Sequence, residues 1–168
     1  MVLSEAVLTL AGFVLAHAAF NVSELPKGQL LSPFVVVEQN AERELTRFDD
    51  RNPVEAVSKA RDFIQLLEEK VDAWAMARQG IVTIDGRELD VLVVEYWSRG
   101  MPESQTIMQE IRPPARRVKF KLIGQPFVLI DGEIQESSQV EDSINIIMMG
   151  IEEHSQAAPL WTQWKNRY

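Results

Sequence analysis

The chain has 168 residues, 46% of them hydrophobic and 25% charged, which is typical of a single soluble globular domain and excludes a disordered or fibrous protein. Because it contains no cysteine, disulfides, thiolate nucleophiles and cysteine-ligated metal centres are excluded, and a cytoplasmic setting is favoured. Its 17 Lys+Arg against 25 Asp+Glu give a net charge of −8, which repels phosphate backbones and acidic membranes, so neither nucleic acid nor a membrane is an expected partner.

The N-terminal apolar segment, residues 1–20, is predicted to be a core helix rather than a signal peptide. No Lys or Arg precedes the apolar run, Glu5 lies where a signal peptide carries positive charge, and the run is too short to span a bilayer. Ser4 is placed to cap the helix, which extends to about Phe20. Since the helix is apolar around most of its circumference, we expect it to be buried on several sides, by its own sheet or by a second subunit.

Two strands and a long helix follow. The segments PFVVVE and RELTRF are predicted to form a hairpin through the linking QNA. Asn52 in the cap position and Pro53 in the first turn predict the start of a helix. Apolar residues then recur every three or four positions as far as Trp74, so this amphipathic helix is predicted to span about 53–78 and to end near Gly80.

The rest of the chain largely alternates with a period of two, the pattern of antiparallel strands. The Asp-Gly pairs at 85–86 and 131–132 are each flanked by such segments, and Asp-Gly suits the positive φ angles of a two-residue hairpin turn. Between them, RVKFKLI predicts a strand with one buried face. Residues 105–112 fit either a helix or a strand, and the double proline at 113–114, together with the neighbouring strands, favours a strand.

A helix at about 140–149 and an aromatic tail at 151–168 complete the chain. We therefore predict one α+β domain over residues 1–168, with an antiparallel sheet of about five to seven strands on which the long amphipathic helix and the apolar N-terminal helix pack. The predicted element order is α-β-β-α-β-β-β-β-β-α.

Motifs for nucleophilic and metal chemistry are missing from the sequence, so no metal and no cofactor are predicted. The two histidines, His17 and His154, are far apart in sequence. The helical position of His17 favours a buried or half-buried structural role, and the polar surroundings of His154 favour a surface position. Turn geometry accounts for the aspartates of the two Asp-Gly pairs.

Glu95 is the acid for which a functional role is hardest to exclude. It shares one strand face with Val91, Val93 and Trp97, while Tyr96 belongs to the other face, and both faces are apolar at the centre. The strand is therefore predicted to be covered on two sides, and a partly buried carboxylate at its end needs a partner or a proton. A structural ion pair is favoured, and the alternative is a ligand pocket that Tyr96 and Trp97 help to line.

The sharpest charge feature is a basic cluster in an otherwise acidic chain. Its members are Arg112, Arg116, Arg117, Lys119 and Lys121. If the last three share one face of a strand, they form a positive stripe that suits a carboxylate-rich partner, an anion or a nucleic-acid backbone. The other interpretation is a solvated strand face whose lysines discourage edge-to-edge aggregation. Only Phe120 is interleaved, so a stacking platform for nucleic acid is not supported.

The C-terminal tail carries three aromatic residues, Trp161, Trp164 and Tyr168. Full burial of a large side chain stabilises by about 1.5–3 kcal/mol, so the tail is predicted to dock on its own domain, on a twin subunit or on another protein. Aromatic residues near arginine also anchor interfaces, which makes these three candidate interface residues.

These features predict a non-enzymatic protein–protein interaction domain, small and acidic, that forms a homo-oligomer, as a dimer, and binds another protein. The alternative is a small-ligand-binding domain or an enzyme with a pocket between the sheet and the long helix near Glu95.

Overall fold

In the computed structural model, which describes residues 4–168, the chain folds around one antiparallel sheet with the strand order β2-β1-β3-β4-β5-β6-β7. The strands are β1 (Phe34–Gln39), β2 (Glu42–Arg47), β3 (Ala73–Ile84), β4 (Arg87–Ser98), β5 (Gln105–Arg112), β6 (Lys121–Ile130) and β7 (Glu133–Ile134). The described helices are α1 (Glu5–Glu24), α2 (Pro53–Leu67), α3 (Glu141–Glu152) and α4 (Ala158–Lys165). The predicted α+β class, the antiparallel sheet and the order of the elements are confirmed, with one more helix at the C-terminus than expected.

Helices α1, α3 and α4 form a layer on one face of the sheet. Small residues on both partners allow α1 to lie close to the sheet, because Ala73, Ala75 and Ala77 of β3 are buried beneath it. Helix α3 crosses α1 where Gly12 faces the carbonyl of Ile147, and a Cβ atom at Gly12 would collide with that carbonyl. The apolar surface around α1 is thus buried between the sheet and α3, within its own domain.

Helix α2 covers the opposite face, and its predicted end at about residue 78 is wrong. Asn52 caps the helix by accepting the Val54 N–H at 3.0 Å, as expected, but the helix ends at Leu67 and β3 begins at Ala73. The prediction was too long because Trp74 continues the helical spacing of the apolar residues. Trp74 packs in the same hydrophobic cluster as Ile64 of α2. It reaches that cluster from a strand, whose pairing with β1 and β4 overrides the helical pattern.

The segments RVKFKLI and QPFVLI, predicted as two strands, contribute to a single bent strand, β6. Residues 117–120 precede this strand instead of belonging to it. The bend lies at Gly124, where the register between β5 and β6 shifts and the backbone has a φ of +68°. The side chain of Gln109, buried in β5, donates to the carbonyls of Ile123 and Gly124 and so satisfies main-chain groups that the irregularity frees.

Both Asp-Gly turns form as predicted, with positive φ at each of their residues, and residues 105–112 form strand β5. Along one edge of the sheet, β2 is charged and mostly exposed, which discourages further strand pairing there. The expectation that this apolar run is too short to span a bilayer is wrong, since α1 has the length and composition of a membrane span, with a mean hydropathy of 1.7. However, 61% of that window is buried in the domain, as expected of a core helix.

Candidate functional site

The two faces of β5 lie in different environments. Ile107 and Ile111 point towards the layer of α1, α3 and α4 and are almost fully buried. Met108 alternates with them, so it points to the other side of the sheet, where it is half-buried. On that side α2 packs over β1 and β3, and the hydrophobic cluster beneath it ends at Met76 and Trp97. The faces of β4, β5 and β6 on this side therefore extend beyond the helix.

An apolar surface occupies this uncovered part of the sheet, and we call it the open face. The strand register aligns Val93 with Met108 and Met108 with Phe127 across the three strands. The open face consists of Val91, Val93, Met108, Ile123, Phe127 and Leu129. Its two valines are buried by their neighbours, Ile123 is 37% exposed, and the other three side chains are half-buried. None of the six belongs to either of the two buried hydrophobic clusters of residues 4–168.

Charged residues border the open face. At one end Glu95 accepts two hydrogen bonds from Arg61 of α2, at 2.7 and 3.0 Å. Glu110, which stands opposite Val91, marks the other end. Its carboxylate oxygen Oε1 lies 3.9 Å from Nη2 of Arg87. An apolar centre with a charged rim is the usual anatomy of a protein–protein interface.

The bidentate contact with Arg61 gives Glu95 the charged partner that its partly buried position requires. The side chain of Glu95 is 14% exposed and that of Arg61 is 50% exposed, and the carboxylate raises the pKa of the arginine by hydrogen bonding. Tyr96 lies on the opposite face, fully buried, where burial raises its pKa to about 12. Trp97 donates its indole N–H to the carbonyl of Met101 at 2.9 Å. The three candidate pocket residues therefore do not converge on one cavity.

The cleft next to α2 lies elsewhere. It has a volume of about 320 Å³ between the first turn of the helix and residues 28–33, and none of Glu95, Tyr96 and Trp97 lines it. A larger cleft, of about 640 Å³, lies on the other face of the sheet between the starts of α1 and α3 and also excludes these three residues. The interpretation of Glu95 as the acid or base of a pocket assumed that it lines a cavity, and it lines neither of these two clefts.

The surface position predicted for His154 is wrong. His154 is only 5% exposed and its Nε2 lies 2.9 Å from Nδ1 of His17, so two residues remote in sequence form a pair inside the domain. Phe13 and Phe34 pack against the pair, with ring centroids 5.2 Å from His154 and from His17 respectively. The expected half-buried structural role of His17 agrees with this arrangement. Among residues 4–168, no group of three or more His, Asp or Glu side chains is arranged to hold a metal ion.

The basic cluster does not form the predicted stripe on a strand. Arg116 and Arg117 occupy a tight turn closed by Ala115 and Val118, and Lys119 follows this turn before β6 begins. Arg112, at the end of β5, donates to the main-chain carbonyl of Lys119.

Lys121 has a structural role, since its ammonium donates to the carbonyl of Arg167 just beyond the end of α4. Arg167, which the sequence did not single out, joins Arg112, Arg117 and Lys119 around a cleft of about 390 Å³.

The aromatic tail docks on its own domain. Trp161 and Trp164 are 4% and 2% exposed, and Trp164 packs edge-on against Phe120 at a centroid distance of 5.3 Å. These two tryptophans are therefore unavailable as interface residues in this structure, which corrects that prediction. Tyr168 is fully exposed and lies at the basic cleft.

The open face was missed at the sequence level although a signal for it exists. Val91 and Val93 alternate with Leu92 and Val94, which makes β4 apolar on both sides and led to the prediction that the strand is covered on both; all four side chains are buried. Because α2 is shorter than predicted and packs on β1 and β3, one of these apolar sides lacks helical cover over β4 to β6.

Comparisons with protein-family models, with curated proteins and with solved structures find no match to this chain. The fold and its surfaces are therefore the basis for assigning a function.

Proposed function

We propose that this protein is a non-enzymatic protein–protein interaction domain that forms a homodimer through its open face. The observation that carries the proposal is the pair Met108 and Phe127, partly exposed neighbours at the centre of a sheet face over which no helix of residues 4–168 packs. Exposed apolar surface of this kind, bordered by charges, is the usual mark of an interaction site.

Burial of the open face supplies a driving force of suitable size. Four of its side chains are partly exposed, by about a third at most, and covering that part of each contributes roughly 2–4 kcal/mol per copy, at a third of the value for complete burial. Association costs several kcal/mol in lost translational and rotational freedom, so the charged rim has to contribute as well. With both copies and the rim contributing, we expect a dissociation constant in the micromolar range.

A second copy of the chain fits this surface better than an unrelated partner because the rim is complementary to itself. Along β5 the rim runs from Thr106, beside the Glu95–Arg61 pair, to Glu110, beside Arg87. A two-fold axis through Met108 with the strands antiparallel places the Glu95–Arg61 end of one copy over the Glu110–Arg87 end of the other, so each carboxylate faces an end that carries an arginine. Two sheets stacked in this way lie about 10 Å apart, which allows their side chains to interdigitate.

Light scattering coupled to size-exclusion chromatography tests the proposal. The wild-type protein at about 100 µM is expected to have twice the 19.1 kDa mass of one chain. Phe127→Glu places a charge at the centre of the open face and is expected to give a monomer with unchanged circular dichroism. Leu66→Glu is the matched control, since Leu66 is 76% exposed on α2 and away from the open face, and it is expected to remain a dimer. A wild-type monomer, or equal loss of the dimer in both variants, overturns the proposal.

A further inference from the structure

A cationic cleft lies where β5 ends and β6 begins, apart from the centre of the open face. Four basic side chains, those of Arg112, Arg117, Lys119 and Arg167, line it together with Val118 and Tyr168. We propose that this cleft binds a small, multiply charged oxyanion, of the phosphate or polycarboxylate class.

Main-chain contacts hold two of the guanidinium groups in place before any ligand arrives. Arg112 donates from Nε and Nη2 to the carbonyl of Lys119, at 3.3 and 3.0 Å. Arg167 donates from Nη1 to the carbonyl of Phe120 at 2.8 Å. Each group keeps further N–H donors for an anion, and a guanidinium that is already positioned loses less conformational entropy when it binds.

No acidic side chain of residues 4–168 lines the cleft. Among the described residues, none of its four basic side chains forms a salt bridge with an Asp or Glu, in contrast to Arg43 and Arg61, which are each paired with a carboxylate. In a chain of net charge −8, a cleft lined by four basic and no acidic side chains concentrates positive potential and favours an anion locally. Its volume of about 390 Å³ admits a small anion and is too small for a folded partner.

The backbone at Arg117 points to a role for this side chain beyond the fold. Arg117 adopts a left-handed conformation with a φ of +62°, which glycine adopts without strain and which costs an arginine roughly 1 kcal/mol. Turn geometry alone favours glycine at this position. Arg117 is exposed and lines the cleft, so its side chain is available to an anion and is not required for packing.

Replacement of Arg117 by glycine therefore separates binding from folding. Isothermal titration calorimetry with pyrophosphate and, separately, with citrate, at constant ionic strength and pH, tests the site and distinguishes the two oxyanion classes. We expect at least one of them to bind with a dissociation constant of about 1 mM or tighter. Arg117→Gly is expected to weaken that binding about tenfold while the midpoint of urea unfolding stays the same or rises.

The matched control is Arg47→Gln, which removes an exposed arginine on β2 at the far edge of the sheet and is expected to leave anion binding unchanged. Absence of binding for both anions up to about 10 mM overturns the proposal, as does equal weakening in Arg117→Gly and Arg47→Gln. Because Phe127→Glu leaves the four basic side chains intact, the monomeric variant is expected to bind the anion as the wild type does. The proposal of the anion site and the proposal of the dimer are therefore tested independently of each other.

Discussion

Nε2 of His154 donates a hydrogen bond to Nδ1 of His17 over 2.9 Å, and this direction follows from the opposite side of the His154 ring. There, Nδ1 accepts the main-chain N–H of Ala157 at 3.0 Å, so in the neutral ring the proton resides on Nε2. The contact connects α1 to the segment that joins α3 and α4. Both histidines have to stay neutral for the contact to exist in this form.

The histidine pair predicts that the protein loses stability as the pH falls below neutrality. Burial lowers the pKa of both His17 and His154 below the ordinary value of 6.5, and for His17 the positive charges of His154 and Arg47 contribute further. As the pH falls through 6.5, the unfolded chain takes up protons that the folded chain resists, so the free energy of unfolding declines with falling pH.

Urea unfolding at about pH 7.5 and about pH 5.5 measures this loss. The variant His17→Gln keeps a side chain that is able to hydrogen-bond and removes one of the two titrating groups, so its stability is expected to depend less on pH over this interval. The same pH dependence in the wild type and in His17→Gln contradicts this account of the pair.

Arg61 and Glu95 are expected to stabilise the fold modestly. Their contact is bidentate, but the side chain of Arg61 is half exposed, so we expect a coupling energy of about 0.5–1 kcal/mol. A double-mutant cycle with Arg61→Ala and Glu95→Gln, read by urea unfolding, gives this quantity. A coupling energy indistinguishable from zero would show that the ion pair does not hold Glu95 in solution.

The close crossing of α1 and α3 predicts a large effect from a single methyl group. A Cβ atom at Gly150 would collide with the main-chain carbonyl of Thr9, and helix backbones cannot move apart without disturbing the core. Gly150→Ala is expected to destabilise by about 1–3 kcal/mol even though alanine favours helices. The control is Gly80→Ala in β3, where the nearest atom belongs to the flexible side chain of Arg78, and this variant is expected to change stability little. Comparable effects of the two substitutions on thermal unfolding would contradict the packing described here.

The docking of the tail predicts that alanine substitutions at two of its aromatic residues have very different effects on stability. Trp164 is buried against Phe120, so Trp164→Ala is expected to destabilise by about 3–5 kcal/mol. Tyr168 is fully exposed, and Tyr168→Ala is expected to stay within about 0.5 kcal/mol of the wild type. The free energy of unfolding in urea checks both values. A nearly neutral Trp164→Ala would mean that the tail is not docked in solution.

The elements that the sequence predicted well are those whose signals are local. The two Asp-Gly turns depend on the backbone preferences of two adjacent residues, and the start of α2 depends on Asn52 and Pro53. Helix α1 is apolar around most of its circumference, so its burial could be predicted without knowing which elements surround it.

The features that escaped prediction depend on contacts between distant parts of the chain. Trp74 continues a helical spacing because it packs with α2, yet the pairing of β3 with its neighbours decides its backbone. His154 lies in a polar stretch of sequence, and only its contact with His17 shows that it is buried. The open face depends on where α2 ends and on which strands it covers, and neither follows from the sequence pattern of β4.

The distance between two identical spin labels in the dimer tests the central claim most directly, because the chain has no cysteine and a single one can be introduced cleanly. With Thr106→Cys, at the rim of the open face, the stacked sheets predict a distance below about 25 Å between the labels of the two copies. With Leu66→Cys, on the outer surface of α2, the distance is expected to be clearly longer. A dimer in which the labels at 106 are as far apart as those at 66, or a protein that shows no dipolar coupling at either position, would contradict association through the open face.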